Sequence, residues 1–291
     1  MKTGVIGLGA MGAPMALNLH KAGRLSAVWN RTHQRADELA AETGVTAAPE
    51  PAALARDCEL IITSLSRDAV LLDVIDAMLT SLGAGKVVVD TSTVSSETAR
   101  KVARTLAGVD AAFLDAPVSG GVEGARQGTL AMMVGGDANV LDRVRPVLDA
   151  IASRIAHIGP VGSGQGAKAV NQVMVAGINQ AVSESLAFAQ AMGLPMEKVI
   201  DVLATGAAGN WFLTHRGPTM IKQNFTPGFK VSLHHKDLSI CKQMAEHFQA
   251  QLPLVEMSLI HYQRLMDAGF GNEDISALFR QKRAIFETAN K

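Results

Sequence analysis

Two regimes of apolar patterning divide the chain. Up to about residue 160, short apolar runs alternate with stretches whose apolar residues recur at helical spacing. Thr3-Gly4-Val5-Ile6 and the segments 26–29, 59–65, 86–90, 112–116, 130–134 and 154–158 read as strands. Segments 13–22, 34–42 and 68–82 read as helices, with Gly44 as the C-terminal stop of the second. Near-continuous apolar strands alternating with helices predict a parallel sheet covered on both faces, a doubly wound α/β domain.

The pattern changes after Gly159-Pro160-Val161-Gly162-Ser163-Gly164. Residues 166–192 contain no proline and one internal glycine, Gly177, and their apolar positions keep helical spacing. They predict a helix about 40 Å long. Segments 195–204, 233–249, 253–268 and 274–290 also read as helical, with Pro195 and Pro253 suited to first-turn positions. The predicted organisation is a doubly wound N-terminal domain over 1–160, a long interdomain helix over 161–192, and an all-α C-terminal domain over 193–291.

Composition narrows the class. In 291 residues, 48% are hydrophobic and 19% charged, the balance of a globular protein of one large or two moderate domains. Lys plus Arg and Asp plus Glu are equal at 27, so nothing points to nucleic acid or to an acidic membrane surface. Cys58 and Cys241 lie far apart without metal-ligand spacing and read as two reduced thiols. The chain opens on a strand, which leaves no room for a signal peptide, and no apolar run approaches the roughly 20 residues of a membrane span. A cytoplasmic protein is expected.

Between the first strand and the first helix stands Gly7-Leu8-Gly9-Ala10-Met11-Gly12. In that context the spacing has a mechanism: Gly7 permits the tight turn, Gly9 lets the backbone approach a pyrophosphate, and Gly12 allows close helix–strand packing. Phosphates would face the helix N-terminus; the plain alternative is an ordinary βα turn. At the end of the second strand, where an NAD-binding domain carries an acid, the chain reads Val28-Trp29-Asn30-Arg31-Thr32. The next acid, Asp37, is already inside a helix. Asn30 can bond a ribose oxygen, Arg31 can stack on adenine and pair with a 2′-phosphate, and Thr32 adds a hydroxyl. NADP is therefore expected in preference to NAD, against the alternative that Arg31 is a solvated surface charge.

Two further segments carry chemistry. Asp115-Ala116-Pro117-Val118-Ser119-Gly120-Gly121 follows a strand at its carboxyl end, where open α/β sheets bind ligands. Its paired glycines and serine hydroxyl form a small nest for a carboxylate, or a simple glycine-rich turn. The second segment, 162–172, places Lys168, Asn171 and Gln172 at i, i+3 and i+4 at the start of an apolar helix, where polar groups are poor core residues. Taken alone, a lysine such as Lys168 is more often a surface lysine.

The glycine segment extended to Leu19, the 115–121 run, the 164–172 run and Lys236-Asp237-Leu238 together resemble the four signatures of the β-hydroxyacid dehydrogenase family. That family includes 3-hydroxyisobutyrate dehydrogenase, tartronate semialdehyde reductase and the glyoxylate/succinic semialdehyde reductases, and the resemblance spans essentially the whole chain. It implies Lys168 as general acid/base, and Asn171 and Gln172 with Ser119, Gly120 and Gly121 on the substrate. It also implies cofactor contacts from Gly7 to Gly12 and from Asn30, Arg31, Thr32, Leu65, Ser66, Thr93 and Lys236. His234 and His235 read as structural. The implied activity is NADP-dependent interconversion of a small 3-hydroxy acid and its carboxylated aldehyde, by a homodimer or homotetramer.

Departures from the family pattern matter. Gln172 stands where many members have Asn, as in the tartronate semialdehyde reductase type, and residues 269–278 resemble that group. Leu65-Ser66 replaces a common Leu-Pro pair. The pocket wall is expected from Asn210-Trp211-Phe212 and 229–233. The alternatives are 3-hydroxyisobutyrate dehydrogenase, glyoxylate/succinic semialdehyde reductase, an imine reductase (a group that usually lacks the lysine) and a non-catalytic NADP-binding module.

Overall fold

The structure is a computed structural model and describes residues 1–288, so positions 289 and 290 of the helix expected over 274–290 lie outside the described residues. The chain divides into two compact units, Met1–Lys168 and Ala169–Lys291.

In the first unit strands and helices alternate: β1 Thr3–Ile6, α1 Gly12–Lys21, β2 Leu25–Trp29, α2 His33–Thr43, β3 Thr46–Ala47, α3 Pro51–Asp57, β4 Leu60–Thr63, α4 Asp68–Met78, β5 Val87–Asp90, α5 Ser96–Ala107 and β6 Ala112–Asp115. These are followed by β7 Val118–Ser119, α6 Gly121–Gln127, β8 Leu130–Gly135, α7 Ala138–Leu148 and β9 Ala152–Gly159. The strands join in one sheet in the order β3-β2-β1-β4-β5-β6-β8-β7, with β9 on β8. Successive side chains point to opposite faces, and both faces are buried. Val5, Ile62, Val87, Val89 and Leu114 belong to one core cluster, and Ile6, Ile61, Val88 and Phe113 to the other. That double burial explains why the central strands are apolar throughout.

The sheet is not parallel throughout. From β3 to β6 it is, but β8 runs antiparallel to β6 and β7 in one continuous register: Asp115 opposite Gly135, Val118 opposite Met132, Ser119 opposite Ala131. The connection that carries the seven-residue α6 is shorter than the dozen or more residues a parallel crossover needs, so the strands form a broad hairpin. The expected all-parallel sheet is corrected there.

The long helix, α8, covers Ser163–Ala191 and runs from the first unit into the second. The second unit is helical: α9 Met196–Ala204, α10 Trp211–Ile221, α11 Val231–Glu246, α12 Pro253–Asp267 and α13 Leu278–Thr288, the last preceded by a 3₁₀ turn at Ile275–Ala277. Leu186, Phe212, Val231, Leu238, Val255, Tyr262 and Phe279 share its core. Helix α10 has no counterpart in the sequence reading, and it carries the helix-disfavouring pair Gly217-Pro218. It forms because Asn210 caps it, accepting from the Leu213 amide at 2.9 Å, and because packing buries Phe212, Leu213 and Met220. A Cβ on Gly217 would stand 3.3 Å from Ile200, so the glycine admits a close neighbour. No helix among the described residues is long and apolar enough to cross a membrane.

Candidate active site

The turn after β1 depends on its glycines. Gly7 has φ +94°, and a Cβ there would run into the Ser64 carbonyl; a Cβ on Gly12 would run into the Gly7 carbonyl. A Cβ on Gly9 would meet nothing within 4 Å, so that backbone faces open space. No side chain caps the start of α1, which suits an anion at the positive end of the helix dipole. Asn30 ties the turn together: its Oδ1 accepts from the Leu8 amide at 2.9 Å and its Nδ2 donates to the Thr32 carbonyl at 3.0 Å. Arg31 and Thr32 are exposed beyond β2, with no carboxylate between positions 30 and 32. A narrow glycine cradle, an uncapped helix and an exposed guanidinium fit a nicotinamide dinucleotide.

Thr63, Asp90 and Asp115 lie in register at the carboxyl ends of β4, β5 and β6. Asp90 is fully buried; its Oδ1 accepts from Thr63 Oγ1 and Ser92 Oγ, both at 2.6 Å, while Oδ2 lacks a partner. Burial pushes its pKa up to about 6, opposed by those hydrogen bonds and assisted by nearby Asp115. Ser92 Oγ in turn accepts from the Leu65 amide at 2.8 Å. This chain links the 64–66 loop to the turn carrying half-buried Thr93, so two of the expected cofactor segments are held together.

In the loop after β6, Ser119 is half-buried, and Gly120 and Gly121 have φ +127° and +63°, conformations that favour glycine. Lys168, in the second turn of α8, is only 7% exposed and donates from Nζ to the Val118 carbonyl at 2.9 Å. The surface-lysine alternative is removed: Lys168 is buried and its Nζ is held at the carbonyl of Val118, the residue before Ser119. One turn further on, Asn171 Nδ2 donates to Gln172 Oε1 at 2.9 Å, and Gln172 Nε2 donates to Asp237 Oδ2 at 2.6 Å. Asp237 Oδ1 holds Lys236 Nζ at 2.8 Å. Gln172 is therefore engaged at both ends and steadies Asn171. Trp211 is exposed and stacks on His215, whereas Phe212 is buried in the core rather than on a wall.

His234 is fully buried, pairing through Nδ1 with the Tyr262 hydroxyl at 3.1 Å and through Nε2 with the Gln172 carbonyl at 3.3 Å, a structural arrangement. The sequence reading missed Asp90, Gln165 and Asp237 as organisers, and treated Asp115 only as the start of a motif. Their signal was a buried-type context around an ionisable or amide group, which spacing alone does not distinguish from a loop.

Residues 2–159 match the family model of the NAD binding domain of 6-phosphogluconate dehydrogenase, and residues 162–281 match that described as NAD-binding of NADP-dependent 3-hydroxyisobutyrate dehydrogenase. The 2-hydroxy-3-oxopropionate reductase of Escherichia coli is 40% identical over 258 residues, 87% of each chain. The NAD-dependent L-serine dehydrogenase of Pseudomonas aeruginosa is 34% identical, covering 94% of this chain and 95% of the relative. Among solved structures, the 3-hydroxyisobutyrate dehydrogenase of Mycobacterium tuberculosis with L-serine superposes with TM-score 0.88 at 33% identity, over 97% of this chain and 99% of that one. Fold and relatives together define a nicotinamide-dependent oxidoreductase. The chain belongs to the β-hydroxyacid dehydrogenase family, of the 3-hydroxyisobutyrate dehydrogenase and tartronate semialdehyde reductase type.

Proposed function

We propose that this chain is an NADP-dependent enzyme interconverting a small 3-hydroxy acid and the corresponding carboxylated aldehyde, with 2-hydroxy-3-oxopropionate (tartronate semialdehyde) as the aldehyde. The observation that carries this reading is buried Lys168, whose Nζ is fixed 2.9 Å from the Val118 carbonyl, directly before Ser119-Gly120-Gly121. The bound cofactor would supply the redox chemistry, hydride from NADPH to the carbonyl carbon in reduction and from the hydroxyl-bearing carbon to NADP⁺ in oxidation. Lys168 in its ammonium form gives a proton to the carbonyl oxygen and stabilises the charge that develops there; in oxidation the amine takes the proton back. The Ser119 hydroxyl and the amides at Gly120 and Gly121 hold the substrate carboxylate, while Asn171, steadied by Gln172, orients the remaining polar groups.

Gly7 to Gly12 cradle the pyrophosphate, Asn30 and Thr32 shape the ribose side, and Arg31 pairs with the 2′-phosphate. Leu65, Ser66, Thr93 and Lys236 are the further cofactor contacts. In this assignment residues 1–160 bind NADP, 161–192 form the connecting helix, and 193–291 serve substrate choice and assembly into a cytoplasmic homodimer or homotetramer. The choice of aldehyde is supported by the E. coli relative and by Gln172. The NAD-dependent L-serine dehydrogenase of P. aeruginosa sets the competing reading.

A steady-state panel decides. Tartronate, methylmalonate and succinic semialdehydes, glyoxylate and propanal are reduced with NADPH or NADH, and L-serine is oxidised with either cofactor. Tartronate semialdehyde with NADPH should give the highest kcat/KM. Equal reduction of propanal would remove the carboxylate site, and faster L-serine oxidation with NAD would replace both substrate and cofactor.

A further inference from the structure

The start of α8 is held in an unusual way. Its first-turn amides need acceptors from outside the helix, as at every helix N-terminus; the Pro160 carbonyl takes the Ser163 amide at 3.0 Å, and a distant group takes those of Gly162 and Gln165. Asp115, the last residue of β6 and fully buried, does so from about fifty positions away. Its Oδ1 accepts from the Gly162 amide at 2.7 Å and its Oδ2 from the Gln165 amide at 2.9 Å. The approach is possible because two neighbours lack side chains. A Cβ on Gly164 would lie 2.5 Å from both the Asp115 and Met133 carbonyl oxygens, and a Cβ on Gly135 would lie 2.5 Å from Asp115 Oδ1.

Gln165, 1% exposed, ties the same turn to the end of β5: Nε2 donates to the Ser92 carbonyl at 2.8 Å and Oε1 accepts from the Val94 amide at 3.2 Å. Ser96 Oγ adds a 2.9 Å bond to the Gly162 carbonyl. Lys168 follows Gln165 by three residues, so its side chain leaves the helix one turn beyond the clamp. The carbonyl that receives its Nζ, Val118, lies three residues after Asp115. One carboxylate therefore fixes both the helix that carries the amine and the strand end from which the Ser119–Gly121 loop departs.

We propose that Asp115, seconded by Gln165, is the positioning residue that sets Lys168 at its working distance from the Ser119-Gly120-Gly121 loop. The proposal rests on the reading of Lys168 as the acid/base. Hydrogen bonds to a carboxylate are stronger and more directional than those to a neutral acceptor, and a negative group suits a helix N-terminus. Burial raises the Asp115 pKa, opposed by the amide bonds from Gly162 and Gln165, a tension expected of a carboxylate kept inside for its acceptors.

The test is a double-mutant cycle. Asp115→Asn and Gln165→Ala are assayed alone and each combined with Lys168→Ala, and NADPH binding stoichiometry counts the folded sites. Misplacing a reacting group by about 1 Å costs up to roughly a hundredfold, so Asp115→Asn should lower kcat by about 10- to 100-fold. NADPH affinity per site should hold. Gln165→Ala should lose about 3- to 10-fold, since the carboxylate clamp survives. In the Lys168→Ala background either substitution should cost no more than about twofold, because the group being positioned is gone. Equal losses in both backgrounds, or losses that follow the count of folded sites, would overturn the proposal while leaving Lys168 as the acid/base. Near-normal turnover of Lys168→Ala by itself would instead overturn the reading beneath it. If Asp115→Asn yields no folded protein, the Gln165 cycle decides by the same criteria.

Discussion

The two units differ in the partners that several of their buried polar groups find. In Met1–Lys168 several reach for backbone, although Asp90 pairs with the Thr63 and Ser92 side chains. Asp115 accepts from two amides, Gln165 spans a carbonyl and an amide, Asn30 does the same at the glycine turn, Lys168 binds a carbonyl, and Lys86 Nζ is ringed by the carbonyls of Ala55, Arg56 and Cys58. From Ala169 onward several pair with one another: Asn171 with Gln172, Gln172 with Asp237, Asn179 with Tyr262, Gln180 with Ser258, and Lys282 with Glu184, while Asp274 accepts from the Gly228, Phe229 and Ser276 amides. The difference follows from the architecture. Turns at the end of a sheet leave buried amides and carbonyls without partners, and side chains must satisfy them. Helix interiors satisfy their own backbone, so another side chain becomes a common partner for a polar side chain buried between helices. Loss of Asp115 or Gln165 strands backbone at the start of α8, whereas loss of the Tyr262 hydroxyl strands other side chains in the second unit's core.

The largest effect expected from breaking this contrast is at Lys168. Lys168→Ala should lower kcat by about 10²–10⁴-fold, equivalent to about 3–5 kcal/mol of transition-state stabilisation, with NADPH affinity retained. Stopped-flow reduction and fluorescence titration of NADPH read the two quantities separately; a parallel collapse of both would make Lys168 a structural residue only.

Arg31, exposed and apart from the buried networks, should alter affinity without altering fold. Losing a charge-assisted contact to the 2′-phosphate is worth on the order of 1.5–3 kcal/mol, so Arg31→Ala should weaken NADPH by roughly 10- to 100-fold and leave NADH nearly unchanged. Equal weakening of both cofactors would contradict the 2′-phosphate assignment.

Tyr262→Phe probes the opposite regime. The hydroxyl accepts from Asn179 Nδ2 at 2.8 Å and so donates to His234 Nδ1, which leaves Nε2 to donate to the Gln172 carbonyl. Removing it strands one buried acceptor, His234 Nδ1, and one Asn179 N–H, at a cost of about 1–3 kcal/mol for each. Thermal denaturation should show a lower Tm with unchanged NADPH affinity; an undiminished Tm would mean that the pairing of side chains contributes nothing to the second unit.

The smallest effect is a pH dependence assigned to Asp90. Burial raises its pKa from 3.8 to about 6, so its stabilising contribution is complete below about 3.8 and is lost as pH rises through about 6. His235 and His261, whose pKa values are lowered by burial, pull the other way as pH falls. The readout is therefore the difference between the wild type and Asp90→Asn. As pH falls from 7.5 to 5, the wild type should gain on the variant by on the order of 1 kcal/mol. Denaturant midpoints across that range measure it, and parallel pH profiles would shift the titration to another group, Asp115 first.

Much of the first unit is legible in the order of its residues, because what it requires is local. A turn with φ +94° at Gly7 and a helix packed where a Cβ on Gly12 would collide call for glycine at those positions. Doubly buried strands call for unbroken apolar runs, and α8 shows its length through helical spacing and the absence of proline. Ser119, the paired glycines and Lys168 stand out only through the family resemblance of their segments, since each segment alone also reads as a glycine-rich turn or a surface lysine. The tertiary structure alone decided the rest. It set β8 antiparallel through a connection too short to cross the sheet, and it made a helix of α10 across Gly217-Pro218 by packing. It also matched Asp115 with amides 47 and 50 residues away and Gln172 with a carboxylate 65 residues away. Periods of 2.0 and 3.6 residues record which face of an element is buried. The partner of a buried polar group is chosen by whichever donor or acceptor the folded chain brings within about 3 Å.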